Sequence, residues 1–321
     1  MNDTRPPRQP RRALHGVILL DKPLGLSSND ALQKVRRLMR AEKAGHTGTL
    51  DPLATGLLPL CFGAATKFSQ VSLEADKAYR ATLKLGQTTT TGDGEGQVVQ
   101  ERPVQVDAAS IASACAAMTG EIDQVPPMHS ALKHEGRALY EYAREGIEIE
   151  RPSRRITIHA IDIVGWQADS LTLDVRCSKG TYIRTLAESI GGHLGCGAYL
   201  QGLRRTASGG TTLEGAVTLE ALQAMTEAER DTHLQAADVL LSDWPAVVLD
   251  ESEAGRFLTG LRRRVKLDDA PQVRVYGPNP TAANGQLPRV LLGSAHIKAG
   301  ELIPTRLLSP AEVQGLLTPV L

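Results

Sequence analysis

Residues 77–86, KAYRATLKLG, alternate strictly: Tyr79, Ala81, Leu83 and Leu85 fall on one side, Arg80, Thr82 and Lys84 on the other. A two-residue period fits a β-strand with one face on a core and the other toward water. The chain must therefore build a sheet with a covered face, and other runs offer it partners. RRITIHAIDIVG (154–165), SLTLDVRC (170–177) and GAYLQGLRRTASG (197–209) read as strands, and GVILLDKP (16–23) as a short buried strand ended by Pro23. Helical spacing appears between them. Ser27 and Asp30 form a capping signal ahead of Leu32, Val35, Leu38 and Met39, an Ala-rich helix is expected over about 107–118, and RALYEYAR (137–144) reads as a helix stopped by Gly146. Ile183, Leu186, Ala187, Ile190 and Leu194 keep the 3.6-residue period. Residues 211–243 read as an acidic, mostly helical block. From Trp244 the short runs PAVVL, QVRVY, PRVLLG and AHIKAGELIP suggest a small β-rich domain. At 321 residues the chain has room for one full-sized domain and a smaller one.

Charge is informative only locally. The 36 basic and 36 acidic residues cancel, yet residues 1–46 hold 10 Lys/Arg against 4 Asp/Glu and residues 151–210 hold 8 against 4. Such blocks can converge on a polyanion, or they can be ordinary solvated faces. Cys61, Cys115, Cys177 and Cys196 form no pair or Cys/His cluster of metal-ligand spacing, and Cys177 continues an apolar alternation. A reduced, cytoplasmic protein without metal is expected. MNDTRPPRQPRR reads as a flexible basic tail over residues 1–15, and no apolar run approaches membrane-spanning length.

The stretch GHTGTLDPLATGLLPL (45–60), read as a loop, sets a single acid, Asp51, among glycines, threonines and prolines. It matches neither GxxxxGK[ST] nor GxGxxG, so phosphate-loop chemistry is not indicated. A glycosidase wants paired carboxylates, and GxSxG is absent. A loop aspartate is most often a turn former. The alternative is a reacting carboxylate in a walled pocket beside a cation, with Leu53, Leu57, Leu58 and Leu60 as walls.

GHTGTLDPLATGLLPLCFGAATKF, with DKPLGLSS before it and KAYRATLKLG, PPMHSALK, CSKGTYIRTLAESIG and LRRTASG after it, closely resembles the TruB family of tRNA pseudouridine-55 synthases, in order from about residue 16 to 210. The resemblance implies an α+β pseudouridine synthase catalytic fold with a mixed, mainly antiparallel sheet over 16–244. It further implies a thumb-like RNA-clasping segment at 124–153 and a PUA-like RNA-binding domain at 245–321. The implied partner is the T arm of tRNA, bound by a monomer that uses no cofactor.

Carried over by position, the resemblance makes Asp51 the essential aspartate and Arg184 its ion-pair partner. Tyr79 becomes the tyrosine that packs on the target base and serves as a candidate base at C5. His46, Tyr182 and Leu203 become substrate-pocket residues, and Lys22, Lys179, Arg204 and Arg205 become RNA contacts, with the Lys22–Pro23 turn mainly structural. Each has a plainer role: core packing for Tyr79, a helix-start staple for Tyr182, a surface contact for Arg184. Two positions depart from the family pattern, Thr90 where an acid is common, although Asp93 remains in that loop, and His129 where an aromatic is common. Two other readings are a guide-dependent relative acting within a ribonucleoprotein, and an RNA-binding protein without catalysis. Binding alone would not require the Asp51 carboxylate.

Overall fold

The structure, a computed structural model, describes residues 10–279 and 289–317. The expected tail lies outside the described residues as far as residue 9. Residues 10–15 are packed rather than free: the Arg12 N–H donates to the Arg40 carbonyl at 2.7 Å, and the Arg12 guanidinium grips Asp231 at 2.5 and 3.0 Å. The described chain divides into two compact units. One comprises residues 51–56 and 74–208; the other comprises residues up to 50, 57–73 and those from 209 onward.

In the first unit the alternating strand Lys77–Leu85 lies at the centre of an antiparallel array. Ser170–Cys177 pairs with one edge, Ala198–Ser208 with the other, and Arg154–Gln167 and Gly120–Gln124 extend the sheet beyond Ser170–Cys177. The face predicted from the alternation is the covered one: Ala81, Leu83 and Leu85 are each 1 % exposed. They pack with Leu171, Leu173 and Val175 under the helices Ala108–Ala117 and Ile183–His193, which contribute Ile111, Leu186 and Ile190. Asp107 caps the first of these helices reciprocally with Ser110. RALYEYAR gives a helix only over Leu139–Arg144, because Arg137–Ala138 are taken by a two-residue hairpin strand facing Lys133–His134.

The loop expected over 45–60 is overturned for its second half. Ala54–Phe62 is a nine-residue strand, and Leu57, Leu58 and Leu60 have no accessible surface. A strand covered on both faces reads as a continuous apolar run rather than an alternation. These leucines are core, not pocket wall. Within the first unit Ala54, Thr55 and Gly56 pair in parallel with Leu203, Arg204 and Arg205. Gly56 has φ 96°, and a Cβ there would lie 2.3 Å from the Arg205 carbonyl oxygen. Gly56→Ala is therefore expected to cost more than about 2 kcal/mol, since clash adds to left-handed strain. Gly146→Ala, at φ 73° with nothing within 4 Å, should cost about 1 kcal/mol. Urea denaturation of both variants separates the two contributions.

In the second unit Gly16–Lys22 pairs with Val217–Thr218 in parallel and neighbours the Ala54–Phe62 strand, whose far end carries Ala44–His46. The helix Ser28–Leu38, capped by Ser27, also anchors Leu50: the Ser28 hydroxyl donates to the Leu50 carbonyl and accepts from its N–H. Toward the C-terminus a five-stranded sheet is built from Ala246–Val248, Arg263–Arg264, Ala270–Pro278, Arg289–Lys298 and Glu301–Leu307. It has its own core around Phe257, Val275 and Leu302. The runs RVLLG and AHIK form one strand, Arg289–Lys298, rather than two, and the helices Glu251–Leu258 and Pro310–Leu317 accompany the expected strands. Among the described residues no helix is long and apolar enough to cross a membrane.

Candidate active site

Asp51 sits three residues before the start of the strand Ala54–Phe62, whose first residues lie beside Leu203–Arg205. Its carbonyl accepts from the Ala54 N–H at 3.0 Å, closing the turn that presents its side chain. Arg184, the second residue of the helix Ile183–His193, meets it: Nη2 lies 3.1 Å from Asp51 Oδ2. The same guanidinium reaches Asp93 Oδ2 at 3.3 Å through Nη1, and donates to the carbonyls of His129 at 2.5 Å and Thr91 at 3.3 Å. Four acceptors from three loops thus hold one cation. The Arg184 side chain is 8 % exposed and Asp93 5 %, whereas Asp51 is 50 % exposed. The cation is buried and oriented, and the carboxylate that faces outward is Asp51.

Asp93 is itself built into its loop. Its Oδ1 accepts from the Thr91 hydroxyl at 2.5 Å and the Glu95 N–H at 3.1 Å. Glu188, one turn beyond Arg184, is raised by burial, with Arg184 opposing and Asp93 adding to the rise. At the two departing positions, 90 and 129, the contacts present do not involve an acidic or aromatic side chain. The His129 contact to Arg184 is a backbone carbonyl, and the Thr90 hydroxyl accepts from the Gln97 N–H.

Two tyrosines border this pair. Tyr182 precedes the helix, and Gln124 clamps its peptide group, accepting from its N–H at 2.7 Å and donating to its carbonyl at 3.1 Å. Burial raises its phenol, while Arg184 lowers it and Asp51 raises it. Tyr79 is half-buried on the central strand, and its phenol is raised by burial, with Arg205 the first opposing influence and Asp51 a further raising one. Leu203, also half-buried, lies opposite Ala54 and Ala81 and packs on the same core as Tyr79.

Asp51, Arg184, Tyr79, Tyr182 and Leu203 thus belong to one unit, with Asp51 and Arg184 in direct contact. His46 belongs to the other unit, ending a short strand opposite Leu60. Of the four expected RNA contacts, two are corrected. Lys22 has no accessible surface, and its ammonium donates to the carbonyls of Pro23 and Leu26, so it holds its own turn together. Arg205 is 1 % exposed and lies on the core face of its strand. Lys179 is exposed and paired with Glu74; Arg204 is half-buried opposite Arg80 and Thr55. The sequence marks Asp93 only as the acid that remains in its loop, and it does not mark Gln124. A buried acid two residues after a threonine in a Gly-rich loop carries no local signal of a distant arginine. Among the described residues no group of three His, Cys, Asp or Glu side chains is arranged to hold a metal ion.

Known proteins share this arrangement of sequence. The family model described as TruB family pseudouridylate synthase (N terminal domain) matches residues 36–183, and that of the tRNA pseudouridylate synthase B C-terminal domain matches residues 184–243. A tRNA pseudouridine synthase B from Cupriavidus pinatubonensis is 59 % identical over 315 residues, covering 95 % of this chain and 98 % of the relative. One from Burkholderia mallei is 56 % identical, covering 94 % and 96 %. Among solved structures, an archaeal box H/ACA sRNP Nop10–Cbf5 complex contains a chain of similar fold. Its TM-score is 0.68 at 22 % identity, with 96 % of this chain and 90 % of that one covered.

Proposed function

Because the chain belongs to the TruB family of pseudouridylate synthases, we propose that this tRNA pseudouridine synthase acts alone on the T-loop uridine, with Asp51 as the reacting carboxylate. The observation that carries the reading is the outward-facing Asp51 held against a buried Arg184 whose other side is closed by Asp93. A binding surface has no use for a carboxylate fixed in this way. It would repel phosphate, yet it is positioned for chemistry on an extruded sugar.

The target uridine lies inside a folded loop and must be flipped out, at a cost of a few kcal/mol that stacking and phosphate contacts offset. Tyr79 and Tyr182 supply the rings, and Leu203 an apolar wall. Asp51 then promotes breakage of the N1–C1′ bond, by attack at C1′ or C6 or by removing the C2′ proton. The freed uracil turns, C5 bonds to C1′, and the C5 proton leaves. Exclusion of water keeps the sugar intermediate from hydrolysis.

In this reading residues 124–153 clasp the RNA as a thumb, and residues 245–321 form a PUA-like domain adding RNA contacts. His46 faces the flipped nucleotide, Lys179 and Arg204 contribute positive charge, and the enzyme works as a cytoplasmic monomer without cofactor. The stand-alone reading rests on relatives above 55 % identity that match nearly the whole chain.

The test is tritium release from an unmodified tRNA transcript labelled at C5 of its uridines, followed by chemical mapping. One tritium per tRNA, mapped to the T loop, is expected. Salt-sensitive tRNA binding without release would overturn the stand-alone reading.

A further inference from the structure

Arg205 is the largest fully buried side chain among the described residues. Removing a guanidinium from water is costly unless it gains hydrogen-bonded partners. Its Cα lies directly opposite Tyr79 on the antiparallel Lys77–Leu85 strand. Side chains of such a pair project from the same face with Cβ atoms about 5 Å apart. From that place the Arg205 guanidinium acts on the Tyr79 phenol, opposing the rise that burial imposes on it. On its other edge Arg205 pairs with Gly56, whose missing Cβ lets the strand following Asp51 lie flush against it.

We propose that Arg205 is a positioning residue for the last proton transfer, holding the Tyr79 oxygen in place and stabilising it as the phenolate that removes the C5 proton. This rests on the reading of Tyr79 as the group that faces the target base. The phenol gives its proton to solvent before the step. Once the C5–C1′ bond exists, the C5–H bond breaks and its proton passes to the phenolate oxygen. The electron pair left behind forms C5=C6, the C6=N1 pair returns to N1, and N1 takes a proton from water.

The groups around Tyr79 leave Arg205 as the cation suited to this task. Cys177, from the Ser170–Cys177 strand, and Asp51 both raise the phenol, as burial does. Lys77, two residues earlier on the same strand, is pushed down to about 8 by burial and by Arg205, so its charge fades near that pH. Burial also lowers Arg205 from its ordinary value, with Tyr79 opposing. A guanidinium nonetheless keeps its charge across the working range. The phenolate fraction grows with pH. Without Arg205 the phenol titrates higher still, so at any lower pH less base is present and C5 deprotonation slows.

The experiment compares the full-length protein with Arg205→Met and Arg205→Lys on tRNA transcripts carrying protium or deuterium at uridine C5. Arg205→Met is expected to lower kcat on the order of a hundredfold with KM little changed. It should also enlarge the C5 isotope effect and move upward the pH at which the rate levels off; Arg205→Lys should recover part of each. A slower Arg205→Met enzyme with native isotope effect and pH profile would overturn the proposal. If Arg205→Met does not fold, Tyr79→Phe reads the pairing from the other side. Loss of the phenol should speed exchange of the Arg205 guanidinium hydrogens in nitrogen-15 spectra, and unchanged exchange overturns the pairing. Full C5 release by Tyr79→Phe would instead discard the role of Tyr79 itself. Lost release in Tyr79→Phe with indifferent Arg205 variants discards only the role given to Arg205.

Discussion

Asp51→Asn should abolish pseudouridine formation, by at least on the order of 10⁴-fold, while tRNA affinity stays within about threefold of native. The amide keeps the shape of the carboxylate and loses the oxygen that can attack carbon or accept a proton. The fold should hardly notice. Asp51 is 50 % exposed, and Arg184 keeps Asp93 together with the Thr91 and His129 carbonyls. An ion pair with one half-exposed partner contributes little, so unfolding free energy should move by no more than about 1 kcal/mol. Three readouts on one preparation decide the matter: C5 tritium release, filter binding of unlabelled tRNA, and thermal melting. Residual turnover above about one per cent of native would mean that the reacting carboxylate lies elsewhere. Asp93 would be a poor substitute, because its side chain is 5 % exposed and its second oxygen is committed to its own loop.

What could be read in advance follows from how local each signal is. The strand Lys77–Leu85 and the helix Ile183–His193 announce themselves because one face of each is buried and the period is visible in a single segment. The strand Ala54–Phe62 does not. It is covered on both faces, contains Pro59 and Gly56, and so resembles a loop with an apolar end. The Glu251–Leu258 helix was hidden among β-like runs, although Asp250 and Glu253 form a capping signal. Within the site, the family motif marked Asp51 and Arg184, but no periodicity could show that Asp93 closes the other side of the guanidinium. Arg204 and Arg205 look alike in sequence. Strand register alone sends one to the core face and leaves the other half-buried.

Arg184→Lys should retain the fold yet lose on the order of a hundredfold in turnover, because one ammonium cannot reproduce a planar fork shared among two carboxylates and two carbonyls. Arg184→Met should do worse on both counts. It strands the buried Asp93 carboxylate without a cation, and breaking a buried pair from one side typically costs about 3 to 5 kcal/mol. The informative variant is the double one, Arg184→Met with Asp93→Asn. Removing both charges relieves the uncompensated burial, so stability should recover by about 2 kcal/mol or more relative to Arg184→Met. Activity should not recover, since Asp51 still lacks the cation that orients it. Denaturation and C5 tritium release on the four proteins of this cycle thus separate what the ion pair does for the fold from what it does for the reaction. Recovery of turnover along with stability would mean that Arg184 only supports the loop and that Asp51 needs no cation. Recovery of stability alone would place the functional demand on the Asp51–Arg184 contact and leave Asp93 as the group that makes burying that arginine tolerable.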